Sequence, residues 1–244
     1  MIDDLIDILR RSCRSSCVAS ILSGRPDDSG PASCMAGRFY SKLGESWPTN
    51  DHGLMIPLIQ IVLAQVPTVP KCLQEFSLLA MFLDRRNLPD DGEAVNGEGW
   101  LLRAYQPGDV LVPLDAPPEL WAGEYPKDRR HFAFNKQFPP RVTRLSWRQS
   151  DADYPGWEDY GSLLPHYNWE FDELHPRYTQ IANNEYGTKV GGWPTYIQGG
   201  CFRSEGEFAF QVASQEKPRA LFGDNGNIYV FRMPEGWRLS WDCY

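Results

Sequence analysis

The chain has 244 residues, 42% hydrophobic and 13% aromatic, with nine Trp, eleven Tyr and a formal charge of −8. Such a chain has the apolar material to bury roughly 70–75% of its unfolded surface, which argues against general disorder. The acidic balance disfavours a nucleic-acid binder, whose phosphate contacts need clustered Lys and Arg, and suits either plain solubility or a basic partner.

Ile2, Leu5, Ile6, Leu9 and Cys13 recur at helical spacing and predict an N-terminal helix over residues 1–22. Asp3, Asp4 and Asp7 stand at its start, with Arg10, Arg11 and Arg14 further on, the order that complements a helix dipole. Cys13 and Cys17, four apart, read as small buried apolar groups. An acidic start is the opposite of a secretory signal, and no stretch reaches the ~20 apolar residues of a membrane span. The expectation is a cytoplasmic protein without membrane contact. Its six cysteines lack C-x-x-C spacing and read as reduced thiols.

Gly24, Pro26, Gly30 and Pro31 mark a loop, after which the chain says something twice. Lys42-Leu43-Gly44, Trp47-Pro48 and Pro57-Leu58-Ile59-Gln60-Ile61 reappear as Lys189-Val190-Gly191, Trp193-Pro194 and Phe208-Ala209-Phe210-Gln211-Val212. An apolar run follows each copy, Leu78–Leu83 and Ile228–Phe231, at a nearly constant offset of about 150 residues. A repeat this long implies a pseudo-twofold domain closing one core, not a solenoid of short units. Pro89–Gly99 reads as a connection, Trp100–Tyr105 as a strand, Asp224–Asn227 as a hairpin turn, and Gly236–Asp242, with Trp237, Leu239 and Trp241 alternating, as a half-buried strand. The fold class expected is α+β: β-rich, mostly antiparallel and internally duplicated, with an N-terminal helix. One domain over 1–244 is read, with repeat one at about 34–115, a charged middle segment at about 116–180 and repeat two at about 181–244.

The strings KVGGWPTYIQG, FAFQVAS, FGDNGNIYVF and WRLSWDCY, together with SKLGESWP and IPLIQIVL, resemble the YwqG-like family of bacterial domains, whose function is not established. Glu45 departs from the glycine usual there. The resemblance implies a single β-rich, duplicated domain. Because such families recur beside secreted antibacterial toxins, it also implies an immunity role.

The middle segment is divided by charge. Residues 127–148 are basic, whereas 151–173 carry Asp151, Asp153, Glu158, Asp159, Glu170, Asp172 and Glu173 with no Lys or Arg. Tyr154, Trp157 and Tyr160 interleave the acids. Carboxylates beside rigid aromatics give an interface its steering field and its anchors, so Asp151, Asp153, Tyr154, Trp157, Glu158, Asp159 and Tyr160 are candidate partner contacts. The alternative is that the aromatics complete the core and the acids are solvated.

Phosphate loops, dinucleotide fingerprints, nucleophile elbows and HExxH are missing. His166, Glu170, Asp172, Glu173 and His175 fit no metal template, so neither a metal nor a cofactor is expected. Lys42 and Lys189 would either line a pseudo-symmetric pocket for an anion or brace strand ends, and Gln60 and Gln211 read as backbone braces. The function expected is a non-enzymatic binding protein, an immunity protein occluding a basic toxin, a nuclease being one case. The alternative is a small-molecule or anion-binding module.

Overall fold

In the computed structural model, the described residues are 2–27, 29–89, 94–121, 141–156, 171–198 and 206–244. Of the helix expected over 1–22, only the first half is helical. Helix α1 spans Ile2–Arg11 and strand β1 runs Arg14–Ser23. The Ser12 hydroxyl donates to the Leu9 carbonyl at 2.6 Å, closing the helix. Residues Arg14–Ser23 are rich in serine with Val18 and Ile21, poor helix formers. Their backbone finds a sheet partner on each side, and those hydrogen bonds outweigh the helical spacing of Cys13 and Cys17. Cys17 is buried as expected, but on a strand.

The remaining strands are β2 (Cys34–Met35), β3 (Phe39–Lys42), β4 (Thr49–Asn50), β5 (Gly53–Leu54), β6 (Ile56–Val62), β7 (Leu78–Leu83), β8 (Ala94–Val95), β9 (Trp100–Tyr105) and β10 (Leu111–Leu114). They are followed by β11 (Thr143–Asp153), helix α2 (Phe171–Ile181), β12 (Lys189–Gly191), β13 (Glu207–Ala213), β14 (Asn227–Met233) and β15 (Gly236–Asp242). Eleven strands form one sheet in the order β8-β15-β14-β13-β12-β1-β11-β2-β6-β7-β9, while β3–β10 and β4–β5 are small separate pairs. Every ladder between these strands is antiparallel.

The two ends of this sheet come together. Edge strand β8 pairs with β15, and a tight turn then carries the chain into the other edge, β9. Asn96 fills the gap: its Nδ2 donates to the Leu102 carbonyl at 3.0 Å and its Oδ1 accepts the Leu102 N–H at 2.7 Å. The result is a nearly closed, barrel-like sheet with few exposed edges to manage.

The inner face holds one continuous core, including Met35, Ile59, Leu79, Met81, Phe210, Val230 and Leu239. Outside, β3, β10 and neighbouring turns cover the first half through Phe39, Trp47, Phe82 and Tyr105, and Tyr196 packs on Phe208, Tyr229 and Phe231 in the second. Strand β7 is therefore buried on both faces, which is why its sequence is unbroken apolar rather than alternating. Trp100–Tyr105 and Gly236–Asp242 are strands as expected. Asp224–Gly226 lies in the β13–β14 connection and leads into β14 at Asn227, with Asn225 at φ 54°, while two-residue hairpin turns join β14 to β15 after Met233 and β4 to β5 after Asn50.

Matching hydrogen bonds occur at two places in the sheet. Gln60 and Gln211 are both fully buried. Gln60 accepts the Tyr40 N–H at 2.7 Å and donates to the Ala32 carbonyl at 2.8 Å. Gln211 accepts the Thr195 N–H at 2.9 Å and donates to the Gly187 carbonyl at 2.7 Å. Both glutamines are braces, as their apolar surroundings require. Likewise the Ser33 hydroxyl accepts the Val62 N–H, and the Thr188 hydroxyl the Ala213 N–H.

Cys13, Cys17, Cys34, Cys72 and Cys243 are free thiols. Burial pushes Cys34 and Cys72 up to about 12. Native iodoacetamide labelling at mildly alkaline pH is expected to modify the half-buried Cys13 and Cys243 well before Cys34, with all reacting after unfolding. Peptide mass spectrometry checks this, and early loss of the Cys34 thiol would contradict the packing described.

Candidate functional site

The best-defined polar constellation lies at the end of β11. Lys189 and Asp153 are both fully buried, with Nζ 2.9 Å from Asp153 Oδ2. The same oxygen accepts the Trp193 N–H at 3.1 Å, and Asp153 Oδ1 accepts the Glu185 N–H at 2.9 Å. Gly191 and Gly192 adopt left-handed conformations, φ 69° and 76°, and bring the backbone against the carboxylate. A Cβ on Gly192 would collide with the Asp153 carboxylate and with Ser16. The carboxylate is thus held by two backbone N–H groups from separate segments and one ammonium, all supplied from within the chain.

This arrangement corrects two site expectations. Asp153 has no exposed surface and its charge is taken up by Lys189, so it is unavailable to a partner. Lys42 and Lys189 do not share a pocket: Lys42 is on β3 and pairs at the surface with Asp109 (3.0 Å). In the sheet it is Cys34, opposite Gln60, that occupies the place Lys189 holds opposite Gln211. In sheet position, Ser33-Cys34-Met35-Ala36-Gly37 thus matches Thr188-Lys189-Val190-Gly191-Gly192. Ala36 even keeps the left-handed backbone, at φ 52°. The shared Trp-Pro and Gly signals obscured this register, and the Ser/Thr and Gln hydroxyl and amide partners reveal it.

Of the other candidate contacts, Asp151 is exposed and accepts hydrogen bonds from Ser15 and Gln149. Tyr154 is half-buried beside α1, where burial and the neighbouring Cys13 push its hydroxyl up. Trp157, Glu158, Asp159 and Tyr160 lie outside the described residues, as does His166 of the histidine–carboxylate cluster. Among the described residues no group of three or more metal-ligating side chains occurs.

In the first half, the space beside the matching turn is open. A cavity of about 490 Å³ is lined by Arg25, Asp27, Gly30, Gly37, Arg38 and Tyr40, among others. A second, of about 580 Å³, lies across the same loop against Gln65, Arg144 and Trp147. The Ser29 hydroxyl and N–H hold the Asp27 carboxyl below its ordinary value, so it is charged at neutral pH. Arg38 is tied to Asp115 at 2.9 Å. The cavity thus presents two guanidiniums and two carboxylates.

Two further buried acids have structural work. Asp84 accepts from Asn50 Nδ2 at 2.5 Å and from the Arg86 and Asn87 N–H groups, and lies 2.6 Å from His52 Nδ1, pinning the 49–54 hairpin to the turn after β7. Asp242 takes the Ile197 and Gln198 N–H groups and the Tyr229 hydroxyl. Burial and the Asp242 charge push Tyr229 well above its usual value, so it remains a donor.

These features define a nearly closed antiparallel β protein whose two sheet halves each carry a glutamine-braced turn, one plugged and one open. The chain belongs to the family described as a domain of unknown function, DUF1963, whose model matches residues 33–236. No curated protein matches it. No helix among the described residues is long and apolar enough to cross a membrane.

Proposed function

We propose that the chain is a non-enzymatic cytoplasmic binding protein, and specifically an immunity protein of the YwqG-like kind that occludes a basic antibacterial toxin. The acidic balance carries this reading: Asp and Glu number 32 against 24 Lys and Arg, and among the described residues only Asp84, Asp153 and Asp242 are buried acids. Exposed Asp151, on the long β11, begins the acidic stretch that would meet the partner. A field of this sign steers a basic protein and competes with phosphate for a nuclease groove. We also infer that the sheet arose by duplication of one unit, in the register of Cys34 with Lys189. The paired glutamine and hydroxyl bonds support that origin.

Coexpression with the product of the reading frame adjoining its gene is expected to restore growth and give a one-to-one complex. Neutralising Asp151, Glu158 and Asp159 together, leaving Asp153 in place, should slow association about tenfold at low salt with little change in dissociation. Unrelieved growth arrest with no complex, or unchanged association, would overturn the reading.

A further inference from the structure

The two halves treat the same turn differently. In the second half a carboxylate and an ammonium, Asp153 and Lys189, fill the space beside Gly192. In the first half Gly37 packs on Cys34 and Val142 as Gly192 packs on Asp153 and Ser16. The lysine is replaced by Cys34, whose thiol is too short to span the gap. The carboxylate has a counterpart as well. Thr143 pairs with Ser23 on one side and Met35 on the other, as Cys17 pairs with Gln149 and Val190. Counting forward equally from Ser23 and from Gln149 leads to Asp27 and Asp153. Asp27, however, is exposed and engaged with Ser29, so the first half retains the turn without its internal plug.

We propose that the cavity beside this turn binds a small zwitterion of the amino-acid class. Its carboxylate lies toward the Gly37–Arg38 turn and Arg25, and its ammonium toward Asp27, supplying from outside the two charges that Asp153 and Lys189 supply from within. The volume, about 490 Å³, falls in the range of small-ligand sites and admits an amino acid with a side chain. The site is independent of the toxin-binding reading and stands or falls separately from it.

The test is isothermal titration of the full chain with the common L-amino acids, using acetate and methylamine as single-charge probes. At least one amino acid is expected to bind and raise the melting temperature, with neither single-charge probe matching it. Arg25→Gln and Asp27→Asn should each weaken binding at least about tenfold. Gly30→Leu should abolish binding by filling the cavity, since a Cβ at Gly30 meets open space and the fold should tolerate it. Arg25, being exposed, gives a second variant that does not depend on repacking. Absence of heat and thermal shift for every amino acid, equal binding of acetate alone, or unchanged binding by folded Gly30→Leu or Arg25→Gln would overturn the proposal.

Discussion

Lys189→Met is expected to destabilise the protein by about 3–5 kcal/mol, because it leaves the Asp153 carboxylate buried without its counter-charge. Both side chains are fully buried, so solvent cannot screen the loss. Two backbone N–H groups still reach Asp153, but they do not replace a full charge in a low-dielectric interior. Pairing the substitution with Asp153→Asn should recover part of the loss, since the neutral amide removes the uncompensated charge and its oxygen still accepts one of the two N–H bonds. Urea denaturation of the three variants measures this. A loss under about 1 kcal/mol for Lys189→Met would mean that the pair contributes shape and not charge. Domains of this kind have about 5–15 kcal/mol in total, so the single variant should be visibly prone to unfolding.

Gly192→Ala should cost a comparable amount, about 3 kcal/mol or more, and considerably more than Gly37→Ala. At Gly192 two penalties combine. The φ of 76° is a left-handed conformation, about 1–2 kcal/mol for a residue with a Cβ, and the new methyl displaces the Asp153 carboxylate from the lysine. Gly37 has no left-handed φ, and its Cβ would meet the Cys34 Sγ at 2.6 Å and Val142 at 3.4 Å. A shorter side chain at position 34 relieves that contact, so Cys34→Ala should suppress the Gly37→Ala defect and leave Gly192→Ala unaffected. Thermal unfolding of the single and double variants decides the matter. Equal defects at the two glycines would remove the distinction drawn between plugged and open turns.

Much of the sheet was legible in the sequence for a simple reason. Leu78–Leu83, Trp100–Tyr105 and Gly236–Asp242 carry their strand character locally, as β-compatible apolar runs between turn residues. The bracing role of Gln60 and Gln211 was legible too, since an amide inside an apolar strand must find backbone partners. Residues 14–23 misled because Cys13 and Cys17 continue the spacing of Ile6 and Leu9, whereas what decides their conformation is pairing with residues 143–153 and 189–191, far away in the chain. The matching of the sequence motifs misled for a related reason: Lys, Gly and Trp-Pro are conspicuous in sequence, yet the hydrogen bonds that match between the two sheet halves are those of Ser33, Thr188 and the two glutamines across strands. Asp153 sat in a run of exposed-looking acids. Nothing within that run marks it as buried, because its partner is Lys189 and the room for it is created by the absence of a side chain at Gly192.

The central ribbon has a consequence for the order in which the protein is made. Among the described residues strand β1 pairs with β11 and β12, and β2 joins β11 to β6. While the ribosome is still copying the first half, β1 has no neighbour, and β2 and β6 lack the strand that ties them to it. Both flanks of β1 stay open until residue 153 and then residue 191 have emerged. With pairings this distant, closure must wait on a large loss of chain entropy. Vectorial synthesis therefore cannot complete the N-terminal half before residues 143–153 and 189–191 have emerged.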